Sequence, residues 1–193
     1  DCHNGNVAEK NIELQFSKPY RHDVYAYTGV HDPVENKLNT KKHVECSDCH
    51  NGHAANNTEG VAPFVSGANV GVKGIDRTGI LVKEAVNEYE ICFKCHADNA
   101  MTPESTIRYL GSVNTRLDFD PNNVSMHPVI EQGKNSNPRG LKEPYNLNSI
   151  IYCSSCHASD GANVPAGPHG SSFPRILKAN YNLDKTPQLG KSW

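Results

Sequence analysis

The chain has 193 residues, a formal net charge of −2 and only five Phe and one Trp. With a mean hydropathy of −0.62, it is poor in the side chains that usually fill an apolar core. The near-neutral charge gives no reason to predict nucleic-acid binding, and no apolar run approaches the roughly 20 residues that span a bilayer. One or two domains are expected at this length, organised around something other than a large apolar core.

The first segment, residues 1–53, is polar and rich in turns, and Pro19 and Pro33 argue against long helices there. It closes on Cys46-Ser47-Asp48-Cys49-His50. A Cys-x-x-Cys-His sequence is the attachment motif of c-type haem. The two thiols bond to the haem vinyl groups, and the adjacent histidine ligates the iron.

The second segment, residues 54–91, contains neither Cys nor His and is rich in Gly and Val. We expect short extended pieces and turns, including one weak hairpin. From Val82 to Cys95 the apolar residues recur at spacings of three and four, which predicts a helix that ends in the next motif. We interpret this segment as a haem-free connector with a lead-in helix.

The third segment, residues 92–193, contains two further complete motifs. Residues 102–105 have the pattern of a helix start, because a Thr in the N-cap position precedes a Pro. Residues 114–123 are predicted to form a loop, and the turn-rich tail from residue 181 carries no recognisable chemistry.

Six of the seven cysteines pair into complete motifs, and Cys2 is left over. Since Asp1-Cys2-His3 is the end of the same motif, we expect a fourth copy whose first Cys lies two residues upstream. Four covalently attached haem c groups are therefore predicted, held by Cys2, Cys46, Cys49, Cys92, Cys95, Cys153 and Cys156, with axial ligands His3, His50, His96 and His157. A zinc site or chance could explain one motif, but the recurrence argues against both. Because c-type haem is normally attached outside the cytoplasm, we expect an exported protein.

Four haems need eight axial ligands, and the chain has ten His but only two Met. Bis-histidine ligation is therefore predicted, and it gives lower reduction potentials than His/Met ligation. The order Cys-His, lone His, Cys-x-x-Cys-His, downstream His occurs twice, which suggests two copies of a two-haem unit. This repeat divides the chain into a first two-haem unit in residues 1–53, the connector in residues 54–91, and a second two-haem unit with a tail in residues 92–193.

The same repeat predicts the distal ligands. They are His22 and His53 in the first unit, and His127 and His169 in the second. His53 is only three residues from His50, so we expect it to serve a different haem. His31 and His43 are spare candidates that would bind propionates, orient a ligand, or replace His22 or His53.

Several segments of the chain resemble tetrahaem c-type cytochromes of metal-reducing bacteria, and within that group the extracellular subunits of cytochrome nanowires (OmcE-type). The resemblance rests on residues 43–54, 88–98, 114–119, 125–129 and 167–172. It implies bis-His haems stacked along a filament, little regular secondary structure, and a His of one subunit that ligates a haem of its neighbour. The sequence departs from the group in its incomplete first motif and in Asn51-Gly52-His53, where Asn-Pro-His is more usual.

The expected fold is mostly irregular, with a few short helices and minimal strand wrapped around four closely packed haems. The expected function is long-range extracellular electron transfer rather than enzymatic catalysis, because closed bis-His irons leave no open site. A discrete periplasmic or outer-surface electron shuttle is the alternative. A multihaem reductase is less favoured, since no Cys-x-x-Cys-Lys motif occurs. Expected partners are copies of the chain in a filament, other redox cytochromes and extracellular electron acceptors, with no nucleic acid and no membrane span.

Overall fold

The computed structural model describes residues 3–6, 8–25, 44–98, 114–138, 141 and 143–180. Most of these residues lie in turns and irregular segments, so the predicted coil-rich fold with few short helices and minimal strand is confirmed. The α-helices are α1 (Glu13–Phe16), α2 (Cys46–Cys49), α3 (Glu88–His96) and α4 (Thr115–Asp118). The 3₁₀ helices are η1 (Gly67–Asn69), η2 (Cys153–Ser155) and η3 (Pro174–Ile176), and the strands are β1 (Tyr20–Arg21), β2 (Gly74–Ile75), β3 (Leu81–Val82) and β4 (Gly170–Ser171).

Some predicted features lie outside the described residues. These are Cys2, the spare candidates His31 and His43, the helix start at 102–105 and the tail from residue 181. Within the described ranges, no helix is long and apolar enough to cross a bilayer.

The described residues of Asp1–Asp48 and Ser154–Asp184 form one compact unit, and those of Cys49–Cys153 form another. The boundaries between them fall inside two of the Cys-x-x-Cys-His motifs. The domain division predicted from sequence groups residues by predicted haem pairs, and it stays a prediction.

In the first unit, β1 and β4 form an antiparallel pair in which Tyr20 is opposite Ser171 and Arg21 is opposite Gly170. Strand β4 also lies against α1, since a Cβ at Gly170 would stand only 1.9 Å from the backbone oxygen of Gln15. Only glycine permits this approach. Phe16 of α1 is 8% exposed, and it is the aromatic residue of this small core.

In the second unit, α3 lies between two apolar clusters. Its residues Tyr89 and Phe93 belong to one cluster, together with Ile75, Ala97, Val129 and Ile130. Its Ile91 belongs to the other, together with Val72 and Ala85. Phe93 is 1% exposed, so α3 is the element around which the second unit is packed.

The helix predicted from Val82 begins later, at Glu88. Leu81 and Val82 instead form β3 and pair with β2, which gives the chain the hairpin that the Gly- and Val-rich sequence suggested. Asn87 is extended at φ −112° and ψ 146° and provides the N-cap. The Glu90 carboxylate accepts hydrogen bonds from Val86 N at 2.8 Å and Asn87 N at 3.3 Å. This reciprocal capping box fixes the helix start.

The predicted loop at 114–123 contains α4. Asn114 is its N-cap, and its side-chain oxygen accepts a hydrogen bond from Arg116 N at 3.1 Å. The side chains of Asp98 and Arg116 form an ion pair at 2.6 Å that ties α4 to the residues after α3. Tertiary contacts therefore stabilise a helix that its four residues alone would not.

Replacing Asn87 with Ala should lower the free energy of unfolding by about 1 kcal/mol, because the first turn of α3 loses its N-cap side chain. Denaturant titration measures the change. Asn57, which is exposed, provides the matched control, and Asn57→Ala should change stability by less than about 0.5 kcal/mol. Equal effects of the two substitutions would argue against the capping box.

Candidate haem-attachment sites

Each complete motif takes up about one helical turn. Helix α2 spans the first, α3 ends in the second, and η2 begins the third. One cysteine of each motif is half-buried and the other is exposed, and none of these six is in a disulfide. The half-buried cysteines are Cys49, Cys92 and Cys153. The exposed cysteines are Cys46, Cys95 and Cys156. One turn of helix places residues three apart on the same face, as two thioether bonds to one haem require.

Two motif histidines make the same hydrogen bond. Nδ1 of His50 lies 2.8 Å from the backbone oxygen of Ala68, and Nδ1 of His157 lies 2.8 Å from the backbone oxygen of Arg175. A carbonyl only accepts, so each Nδ1 carries the proton and each Nε2 carries the lone pair. Histidine ligands of metals usually have this arrangement, in which the hydrogen bond fixes the tautomer and ring orientation.

The acceptor carbonyls belong to η1 and η3, short turns that return to the motif. Helix α4 also bonds back to a motif, through a donor, and we name η1, α4 and η3 the return turns. Ala68 is the middle residue of η1 and Arg175 the middle residue of η3. Each lies 18 residues after its histidine. In the remaining motif, Thr115 of α4 donates its hydroxyl to the backbone oxygen of His96, 19 residues earlier.

The return turns also hold the second cysteine of two motifs. The side-chain amide of Asn69 donates to the backbone oxygen of Cys49 at 2.8 Å. Lys178 N donates to the backbone oxygen of Cys156, also at 2.8 Å. The sequence does not reveal the roles of Ala68 and Arg175, because a backbone carbonyl has no sequence signature. Only their common spacing of 18 residues from a motif histidine could have indicated them.

Cysteines from all three complete motifs occur in the second unit, around α3. Cys153 packs against the cluster that contains Phe93, and Cys49 packs against the cluster that contains Ile91. A hydrogen bond with the Cys153 side chain, together with burial, raises the pKa of the Cys92 thiol well above its usual value. Cys92 and Cys153, which belong to different motifs, thus lie side by side in this unit, and Cys92 is in its thiol form at neutral pH.

Three histidines come together in the first unit. His22 directly follows β1 and His169 directly precedes β4, so both lie at the same end of this antiparallel pair. The His22 side chain bonds to the backbone of Pro168, the neighbour of His169, and nearby His157 disfavours a positive charge on His22. The sequence repeat predicts His22 and His169 in different two-haem units, whereas the structure places both at one end of the β1–β4 pair.

The ring of His169 is closely surrounded. A Cβ at Gly167, whose φ is +91°, would stand 3.3 Å from Cε1 of this ring. The ring of Phe16 meets it edge-to-face, with centroids 6.1 Å apart. For His22, burial lowers the pKa, a hydrogen bond with the Pro168 backbone raises it and His157 lowers it, with a net decrease. His22 is therefore neutral at physiological pH, the form that ligates metals.

The two lone histidines of the predicted repeat, His22 and His127, share a local turn. Val24 N donates to the backbone oxygen of His22 at 3.0 Å, and Val129 N donates to that of His127 at 2.8 Å. This is the hydrogen-bond pattern of a γ-turn. The similarity of the two segments in sequence is therefore matched by their backbone.

Three other predicted ligands, His3, His53 and His127, are exposed. His53 N donates to the side-chain oxygen of Asn51 at 3.0 Å, which fixes the turn after the first complete motif. No group of three or more Cys, His, Asp or Glu side chains in the described ranges is arranged to hold a metal ion.

An ion pair connects the segment before β1 to the segment after His157. Lys18 Nζ lies 2.6 Å from Asp160 Oδ1 and 2.8 Å from the backbone oxygen of the same residue. Burial raises the pKa of Asp160, but hydrogen bonds from Lys18 and Ser172 lower it to about 2. The pair fixes the chain before His22 relative to the motif that contains His157.

Because the pKa of Asp160 is lower in the folded than in the unfolded chain, its contribution to stability is present above pH 4 and is lost as the pH falls towards 2. Asp160→Asn should lower the free energy of unfolding at neutral pH by about 1 kcal/mol, after allowance for solvent screening. It should also flatten the dependence of stability on pH between about 4 and 2. Denaturant titrations at several pH values measure both effects. Asp23→Asn is the control, since Asp23 is half exposed and 3.8 Å from Arg21. An unchanged pH dependence in Asp160→Asn would contradict a stabilising ion pair between Lys18 and Asp160.

No family model, curated protein or solved structure matches the chain.

Proposed function

We propose that this chain is a multihaem c-type cytochrome that transfers electrons and has no substrate site of its own. The observation that supports this most is the recurring geometry of the motif histidines. Two of them donate Nδ1–H to a carbonyl 18 residues further on, and this leaves Nε2 as the nitrogen for iron. The residues present therefore fit covalently bound haem, with thiols on one helical turn and an oriented imidazole beside them.

Bound haem c would supply reversible one-electron transfer at its iron. The chain's own residues would anchor and orient it. The half-buried cysteines of two motifs would fix one edge of the haem to a packed cluster, Cys153 beside Phe93 and Cys49 beside Ile91. The return turns orient the motif histidines, and the neutral His22 beside His169 supplies distal nitrogen ligands.

The filament is the finer part of the proposal, and it rests on the resemblance to nanowire subunits. Under this proposal the protein is exported, assembles with copies of itself and passes electrons to other cytochromes or to extracellular acceptors. A discrete shuttle with the same haems is the alternative. Electron microscopy of the secreted material separates them, because the first predicts filaments and the second predicts single particles.

Spectroscopy with redox titration tests the proposed function. The protein isolated from its source should show the reduced-minus-oxidised spectrum of low-spin haem c, and it should exchange electrons rapidly with small redox dyes. Carbon monoxide should leave the spectrum of the native reduced protein unchanged, because bis-His irons have no open position. A spectrum without haem would refute the proposal, and a stoichiometric carbon monoxide complex would favour the reductase alternative.

A further inference from the structure

The return turn η3 contains two consecutive residues with left-handed backbone. Arg175 has φ +61° and Ile176 has φ +54°. Residues other than glycine rarely adopt this region, and a side chain branched at Cβ such as Ile is an outlier there. Strain of this kind persists only where surrounding contacts impose it, and it is concentrated at functional sites.

Hydrogen bonds hold the turn in place at both ends. The Ser171 hydroxyl donates to the backbone oxygen of Leu177 at 2.6 Å and accepts from Phe173 N at 2.9 Å. Ser171 is completely buried, at 0% exposure. Beyond the turn, Lys178 N donates to the backbone oxygen of Cys156 at 2.8 Å. The turn is thus attached to the strand after His169 and to the motif itself.

The consequence of this conformation is the position of one carbonyl. The backbone oxygen of Arg175 points to Nδ1 of His157 at 2.8 Å. The equivalent carbonyl, that of Ala68, reaches His50 at the same distance. Ala68 is not among the described residues with positive φ, so the left-handed pair distinguishes the turn at His157.

We infer that the Arg175–Ile176 turn is a positioning element that fixes the ring orientation and the donor strength of His157, and thereby the reduction potential of the haem attached there. This inference rests on the proposed function. A histidine whose Nδ1–H donates to a carbonyl is a stronger electron donor through Nε2. A stronger axial donor stabilises the oxidised iron and lowers the potential.

Two substitutions at one position test the inference. Proline requires φ near −65° and cannot occupy position 176 without moving the Arg175 carbonyl, whereas glycine accepts the left-handed conformation without strain. Ile176→Pro should keep all its haems but shift one midpoint potential upwards and alter the EPR signal of one low-spin ferric haem. Ile176→Gly should keep the native potentials and spectrum, with an equal or higher melting temperature.

Ser171→Ala provides a milder test that does not depend on recovery of the proline variant. It removes the hydrogen bond to Leu177, and it should give a smaller upward shift of the same potential. If Ile176→Pro retains its haems with unchanged potentials and EPR spectrum, the inference is wrong. If that variant does not fold, unchanged values in Ser171→Ala overturn it. A native protein without haem would instead refute the proposed function.

Discussion

Replacing either His22 or His169 with Ala is expected to convert about a quarter of the iron from low-spin to high-spin, because one of the four predicted haems loses its distal ligand. Both histidines lie outside the attachment motifs, so covalent haem attachment should continue. EPR and optical spectra of the ferric protein measure the high-spin fraction. The reduced variant should also acquire a carbon monoxide complex that the native protein lacks.

The spare candidate His43 provides the control, and His43→Ala should remain low-spin. Fully low-spin spectra in both His22→Ala and His169→Ala would contradict the ligand assignment around the β1–β4 pair. A high-spin fraction in His43→Ala would transfer the distal role to that residue.

Truncation of the most buried aromatic residue should have the largest effect on stability. Phe93 is 1% exposed and packs on Tyr89 with ring centroids 5.2 Å apart. Phe93→Ala should lower the free energy of unfolding by about 3–5 kcal/mol, since the cavity is lined by a cluster that cannot collapse freely. Cys153 packs on the same cluster, so the yield of fully haem-loaded protein should also fall.

Phe64→Ala is the matched control in the same unit. Phe64 is 57% exposed, and its backbone oxygen, which accepts the Tyr152 hydroxyl at 2.6 Å, is retained in the variant. The change should be below about 1 kcal/mol. If both phenylalanines have equally small effects in denaturant titrations, α3 is not the packing centre of the second unit.

The sequence predicts the local features of this fold. A chain with few large apolar residues and many turn formers is mostly coil, and each Cys-x-x-Cys-His motif is compact because it occupies one turn. The apolar spacing that predicts α3 begins before the helix, at Val82, where it is misleading. Leu81 and Val82 instead pair with β2, because tertiary contacts override a weak periodic pattern.

The long-range part of the candidate site has no comparable signal. Strands β1 and β4 have two residues each, too few for any alternation, yet their pairing places His22 and His169 at the same end of one strand pair. The carbonyls of Ala68 and Arg175 belong to ordinary residues, and only the fold identifies them. Counting the histidines identifies candidate ligands, but it cannot identify which of them lie close together in the fold.

The mass of the intact, denatured protein isolated from its source tests the central claim most directly. Thioether bonds survive denaturation, so each bound haem adds its mass permanently. We predict the mass of the polypeptide plus four haems, with peptide mapping that locates them on the cysteines of the motifs that end in His3, His50, His96 and His157. A mass equal to that of the polypeptide alone would contradict covalent haem attachment, and so would zinc bound to the native protein.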